Sequence, residues 1–554
     1  MASIKILLIN LIGLFLLFAP SDLFSQTFAD SSSIAQLDSI FSDWNSETTP
    51  GCAVGISQEG RPLVMRAYGM ADLENPVPNT PSTIFEAGSV SKQFVAASLI
   101  LLSLEGEISL EDDVRNIIPE LPDYGDTITW RHLLNHTSGL RDWGSVASIS
   151  GWGRSNRTHN HDHVLDIVSR QTRLNFPPGE RYSYSNTGYN LMAIAIERIT
   201  GTSFADYSNR KIFDPLGMTS TQWRDDYTRI VKGRSSAYSG RAGDEEYTIN
   251  RPIEHVHGNG GLLTTIGDLL TWTSAIQSNY FGEDFHEELV TQGVLESGRT
   301  IAYASGVRVD EDHGYRQITH TGATSGYRAY LSIYPESDLA VALLCNVTGA
   351  SPGSLGSAVS DVFLEEPDGD ESQPEKGTVR RSDEQLKEWT GIWSDPRNYR
   401  ATEITWEAGE LKLNGNTTLY PISGSEVRVG NSDTLYRFVD QGSGDLHIQV
   451  IREGFEEEIL NPEKPAPEFD ESWSNFEGVY VSSDAETEIR IELRGDQLIA
   501  HRRPADTFEL EPLYENTFSA RGLGLIRFVP GSNGVMEFIY SSGRVYDLRF
   551  EKQD

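Results

Sequence analysis

Cysteine is nearly absent. In 554 residues there are two, Cys52 and Cys345, too few for a zinc framework. Both sit in apolar, strand-like runs, GCAVGI and LAVALLCN, a setting that suits buried free thiols. That is the expectation here, although an exported location would permit a disulfide. Basic residues are also scarce, 45 Lys+Arg against 81 Asp+Glu, for a net charge of −36. Nucleic-acid binding needs a basic footprint, and anionic membranes repel such a chain, so both partners are excluded. The acid is spread, −16 before residue 361 and −20 from there on, which reads as a solvated surface. Long apolar runs are missing after the first residues; no later segment approaches 18 uninterrupted apolar residues, the length a membrane helix needs.

The opening MASIKILLINLIGLFLLFAPSDLFSQ has Lys5, then an apolar stretch from Ile6 to Phe18, then polar Ser25 and Gln26. Thirteen residues, Asn10 among them, are short for a span. Residues 1–26 are expected to be a secretory signal peptide, an uncleaved anchor being the lesser alternative. The mature protein is then secreted or periplasmic, with no stable membrane span.

What is present is enough to fold. The chain is 38% hydrophobic with 10 Trp, 22 Tyr and 22 Phe, and a single core rarely grows past roughly 250–300 residues, so at least two domains are expected. CAVGIS, EG and RPLVMRAYGM read as a hairpin. KQFVAASLILLSLEG reads as a helix closing at Gly106. From about 107 to 300 the pattern is mainly helical, and strands return over 315–346. Strands at both ends of the region predict one sheet built from distant segments, with helices inserted between them. Residues 365–385 are polar, charged and Pro/Gly-bearing, as in a linker. Beyond lie short alternating strands with recurring turns, the pattern of antiparallel barrels. WTGIWSDP (389–396) and FEGVYVSS (476–483) align 87 residues apart, which favours two related β units over one larger barrel. The expected division is 27–364, 386–463 and 471–554.

Three short motifs carry chemistry. In Ser89-Val90-Ser91-Lys92 the serine stands at a helix N-terminus, where free N–H groups favour developing negative charge. Lys92 lies one turn along the same face, and a buried amine with a lowered pKa accepts a serine proton. Tyr182-Ser183-Tyr184-Ser185-Asn186 places a phenol and an amide two residues apart on one loop, a proton relay and a substrate contact respectively. In His320-Thr321-Gly322-Ala323, Gly322 admits a close backbone approach. The Ala323 N–H pairs with that of Ser89 as an oxyanion hole.

With their order SVSK, YSN, HTG, and with FPPGERYSYSNTGYN, ITWRHLLNHTSGL and HTGATSGYRAYLSIYP around them, residues 35–360 resemble the serine β-lactamase/penicillin-binding superfamily. The likeness is to the branch holding class C β-lactamases, DD-peptidases, D-aminopeptidases and related esterases. The resemblance implies an α+β catalytic domain, an antiparallel sheet flanked by helices plus a helical lobe, followed here by all-β barrel-like domains. It implies Ser89 as the acylated nucleophile, Lys92 as its base, Tyr184 as proton shuttle and Asn186 as substrate contact. His320, Thr321 and Gly322 line the cleft with Ala323. No metal or organic cofactor is implied; the partner is a small-molecule or peptide substrate. The expected activity is acyl-enzyme hydrolysis of amide bonds, D-aminopeptidase or DD-peptidase-like. Carboxylesterase, β-lactamase and slow-turnover penicillin sensor are the alternatives. His320 stands where the family usually has Lys, so a permanent cation is replaced by a group expected to titrate near neutrality. That weakens the β-lactamase alternative. Some D-aminopeptidase-like members carry appended barrels, one loop of which reaches the cleft and shapes specificity.

Other histidines invite attention. His159, His161, Asp162 and His163 resemble a metal signature, but a helix starts here with Asp162 as the expected N-cap. His136 in LLNHTSGL is expected to be structural. His255 and His257, before GNGGLL, border the cleft by resemblance.

Overall fold

The computed structural model describes residues 29–365 and 382–553, apart from 431, 433, 441, 443–445, 453–456, 468, 470 and 532–533. The expected signal peptide, and 366–381 of the expected linker, lie outside the described residues.

The N-terminal domain is organised by a six-stranded antiparallel sheet. Its strands are β1 (Cys52–Gln58), β2 (Arg61–Tyr68), β3 (Arg308–Asp312), β4 (Tyr315–Thr324), β5 (Tyr327–Tyr334) and β6 (Leu339–Cys345), in the order β3-β4-β5-β6-β1-β2. The expected sheet from distant segments is thus realised, with β1 pairing β6. The central strands are buried on both faces because each face has its own cover. Alternate residues of β1 and β6 divide between two cores. Ala53, Ala340, Ala342 and Leu344 join one with Ile266 and Leu270 of the helix Ile266–Gln277. Val54, Ile56, Val341 and Leu343 join the other with Leu37 and Val359, from the helices Ser31–Ile40 and Pro352–Phe363. The period-two alternation of a strand makes this division.

The cysteines correct the sequence expectation. Cys52 and Cys345 are register partners on β1 and β6 and form a disulfide across 293 residues of sequence. Antiparallel partners face the same side of a sheet, so the pairing follows from the register once the strands meet.

Between β2 and β3 lies the helical lobe. Helix α1 (Lys92–Leu104) runs through its centre, buried on nearly every side, and α2 (Asn186–Thr200) packs against it. The rest of the segment between β2 and β3 is further helices, loops and small two- and three-stranded sheets. The helix His161–Ser169 starts at Asn160, not Asp162. The Asn160 side chain accepts the His163 N–H, and His163 reciprocates in a capping box. Asn at that position satisfies the free N–H one turn in, which leaves Asp162 in the first turn.

Two closed eight-stranded antiparallel barrels follow, from Gly391–Ser394 to Glu458–Glu463 and from Gly478–Ser482 to Val545–Lys552. The repeated sequence opens each barrel, with Trp393 and Tyr480 buried at equivalent places. The first barrel has its own core. The second shares one continuous apolar cluster with the N-terminal domain. Its docking is polar as well. Arg141, almost fully buried, donates to Asp484 Oδ2 (2.7 Å) and to the carbonyls of Tyr546 (3.2 Å) and Asp547 (2.9 Å). Among the described residues no helix is long and apolar enough to cross a membrane.

Candidate active site

Ser89 lies in the tight turn Gly88–Ser91, which leads directly into α1. Lys92 is the first residue of that helix and has no solvent exposure. Its Nζ reaches Ser89 Oγ at 3.3 Å, Asn186 Oδ1 at 2.9 Å and the Asn259 carbonyl at 2.6 Å. None of these acceptors carries a charge. Burial therefore pushes the amine well below its usual pKa, and Arg544 and Arg154 push it further, against a small opposing pull from Asp142. An amine so placed gives up its proton more readily than a free lysine, which suits it to take one from the serine.

The second motif arrives from the start of α2. Ser185 caps that helix, and the Asn186 N–H donates to Asp142 Oδ2 at 2.8 Å. Tyr184 sits beside Lys92, its ring centre 4.8 Å from Nζ. Its buried hydroxyl faces Ser89 but makes no hydrogen bond of good geometry among the described residues. Burial raises its pKa, so it rests as a phenol. His136 holds this loop from below. It is buried, its Nδ1 accepts the Ser185 N–H at 3.2 Å, and its ring lies 4.2 Å from that of Tyr184. It does not line the cleft, which fits the structural role expected of it.

The third motif lies within β4, whose edge runs beside the Ser89 turn. The approach is tight in both directions. A Cβ on Gly88, whose φ is +53°, would meet the Ala323 nitrogen at 2.6 Å, and one on Gly322 would meet the Ala87 carbonyl oxygen at 2.0 Å. Only glycine permits the contact, and it brings the Ser89 and Ala323 backbones to one side of the cleft. His320 departs from expectation. It is buried, with its Nδ1 2.6 Å from the Thr321 carbonyl and its Nε2 3.0 Å from Tyr303 Oη. Burial and the neighbouring Lys92 push its pKa down to about 3. It is therefore neutral throughout the physiological range rather than titrating near neutrality, because the cost of burying an imidazolium outweighs any stabilisation here. Nδ1–H donates to the carbonyl and Nε2 accepts from Tyr303.

Together these groups line a cavity of about 450 Å³, within the range of small-ligand clefts. Ser89, Tyr184, Asn186, His320, Thr321, Gly322 and Ala323 all border it, with Lys92 directly behind Ser89. The sequence reading did not single out Tyr303, Asn259, Arg154, Arg308, Arg328 or Arg544, which border it too. Only Asn259 carried a signal, its place in the GNGG turn after His257. His255 and His257 themselves do not line it; His257 packs at a tilt against His161, 4.5 Å between ring centres.

The comparisons with known proteins agree with this geometry. The beta-lactamase family profile matches residues 37–359. A penicillin-binding protein of Bacillus subtilis (strain 168) is 31% identical over 293 residues, covering 50% of this chain and 64% of that protein. A D-aminopeptidase of Cereibacter sphaeroides (strain KD131 / KCTC 12085) is 26% identical over 367 residues, covering 66% and 67%. The chain thus spans about two thirds of the length of these relatives or slightly less. In fold, the octameric penicillin-binding protein homologue from Pyrococcus abyssi superposes with a TM-score of 0.53 at 22% identity, over 78% of this chain and 98% of that one. With the profile spanning more than half of its length and the three motifs gathered around one cleft, the chain belongs to the beta-lactamase family.

Proposed function

We propose that this is an exported amide hydrolase, D-aminopeptidase or DD-peptidase-like, working through an acyl-enzyme on Ser89. The observation that carries the reading is the buried Lys92 amine, 3.3 Å from Ser89 Oγ and surrounded by uncharged acceptors. Neutral Lys92 takes the Ser89 proton as Oγ attacks the carbonyl carbon, and the carbonyl π pair moves to oxygen. The Ser89 and Ala323 N–H groups receive that oxyanion. As it collapses, the C–N bond breaks and the amine leaves with a proton delivered through Tyr184, which Lys92 replenishes. Water then attacks the ester, losing its proton along the same route, and Ser89 is restored. Asn186, fixed between Lys92 and Asp142, presents its amide to the substrate. The D-aminopeptidase and penicillin-binding relatives support D-configured amides as the substrate class. The leader-like first 26 residues and the disulfide support export to an oxidising compartment.

The test compares wild type with Ser89→Ala on three substrates: D-alanine p-nitroanilide, N-acetyl-D-alanyl-D-alanine and a short-chain p-nitrophenyl ester. Turnover of either amide, abolished in the variant while its melting temperature holds, is the expected result. Turnover of the ester alone would make the protein a carboxylesterase. A stable penicillin adduct without turnover would make it a sensor. Activity surviving Ser89→Ala would remove the nucleophile.

A further inference from the structure

The net charge of the protein is −36, yet its cleft carries the opposite sign. Among the described residues four arginines border it, Arg154, Arg308, Arg328 and Arg544, and no Asp or Glu does. They are not equivalent. Arg154 is paired with Glu254, and Arg308 with Asp310. Arg328 spends Nη1 on the Ser325 (2.9 Å) and Tyr327 (2.7 Å) carbonyls. Arg544 is different. It comes from the last hairpin of the second barrel, and its guanidinium makes no hydrogen bond among the described residues. It lies 4.8 Å over the Tyr184 ring. The nearest carboxylate, Asp142, is 4.0 Å away, beyond hydrogen-bond reach, and already accepts from the N–H groups of Asn186 and Ser145.

The position of Arg544 is nevertheless fixed, because its backbone is clamped. Its carbonyl accepts from the Asp142 N–H (3.2 Å) and from Asn175 Nδ2 (3.2 Å). Asn175 Oδ1 in turn accepts the Tyr546 N–H at 2.8 Å. Buried Arg141 holds the Tyr546 and Asp547 carbonyls further along the hairpin. A held backbone with a side chain 43% exposed and bordering the cleft is a pre-organised donor fork, of the kind that binds carboxylates in two-point fashion. It stands over the tyrosine proposed to protonate the leaving amine. His320, neutral at the third motif, supplies no cation of its own.

We infer that Arg544 of the second barrel is the substrate's carboxylate anchor, and that the cleft takes peptides whose leaving-group half ends in a free C-terminal carboxylate. A free N-terminal ammonium finds no counter-ion among the residues that border this cleft. The inference therefore separates the two activities proposed above and favours the carboxypeptidase side. It rests on the hydrolase reading of the Ser89 site.

The experiment measures binding rather than turnover, so that the two readings fail separately. Calorimetry on Ser89→Ala compares N-acetyl-D-alanyl-D-alanine with its C-terminal amide, N-acetyl-D-alanyl-D-alaninamide. The expected preference for the carboxylate is roughly tenfold or more, the scale of a charge-assisted hydrogen bond. The ratio of the two Kd values should fall to near one in Ser89→Ala/Arg544→Gln, and Ser89→Ala/Arg544→Lys should retain part of it. Equal Kd values for the two ligands on Ser89→Ala would overturn the proposal, as would failure of the carboxylate ligand to bind. So would a preference that survives Arg544→Gln. Absence of amide turnover by wild type, with the carboxylate preference intact, would instead overturn the peptidase reading alone.

Discussion

Lys92→Met tests the proton state of the proposed base without any substrate. An unfolded lysine stays protonated until the pH nears about 10.4. In the folded protein the amine is pushed well below that, chiefly by burial. Between the two values the unfolded chain binds one proton more than the native one, so stability rises with pH across that window. One proton corresponds to about 1.4 kcal/mol per pH unit. The mechanism requires the folded amine to have released its proton by pH 7; on that requirement the wild type gains about 2.7 kcal/mol relative to Lys92→Met from pH 7 to pH 9. The other titrating groups are common to both proteins and cancel in the difference. The uncapped Asn186 Oδ1 and Asn259 carbonyl in the variant add only an offset that does not vary with pH. The assay is guanidinium unfolding of both proteins at several pH values, followed through the transition of the N-terminal domain. Parallel stability curves between pH 7 and 9 would mean that Lys92 is charged in the folded protein. It could not then accept the serine proton, and the mechanism would fall.

Two further perturbations probe the scaffold. Arg141→Met leaves Asp484 buried with only Thr172 Oγ1 and N–H to hold it. Breaking a buried pair costs roughly 3–5 kcal/mol, so the second barrel should loosen and hydrogen exchange over residues 543–547 should accelerate. Unchanged exchange there would show that the shared apolar core alone docks the barrel. Gly322→Ala puts a methyl 2.0 Å from the Ala87 carbonyl oxygen, and β4 must retreat from the Ser89 turn. Overpacking of this kind costs about 1–3 kcal/mol, and kcat/KM should fall at least tenfold while the protein still folds. Wild-type rates in that variant would show that the closeness of β4 to Ser89 is not required.

The primary structure by itself determined the local pieces. The run from Lys92 to Leu104 can bury itself on nearly every side only as a helix inside a lobe. The Glu59-Gly60 turn between apolar runs closes a hairpin whatever the surroundings. The spacing in Ser89-Val90-Ser91-Lys92 puts hydroxyl and amine one turn apart, and the recurring strand–turn pattern after residue 386 yields barrels. These are short-range outcomes, fixed by covalent spacing and by hydrophobic period. Tertiary structure decided what depends on distant segments meeting. Cys52 and Cys345 bond because β1 and β6 become neighbours in one particular register. His320 loses its charge because Tyr303 and Lys92 enclose it, a burial that the triplet His-Thr-Gly does not encode. Arg544 enters the cleft because Arg141, Asp142 and Asn175 clamp a hairpin some 370 to 400 residues further along the chain. In the sequence it is one arginine in a turn, Ser541-Ser542-Gly543-Arg544, and only the packing of a barrel against the helical lobe turns it toward Tyr184.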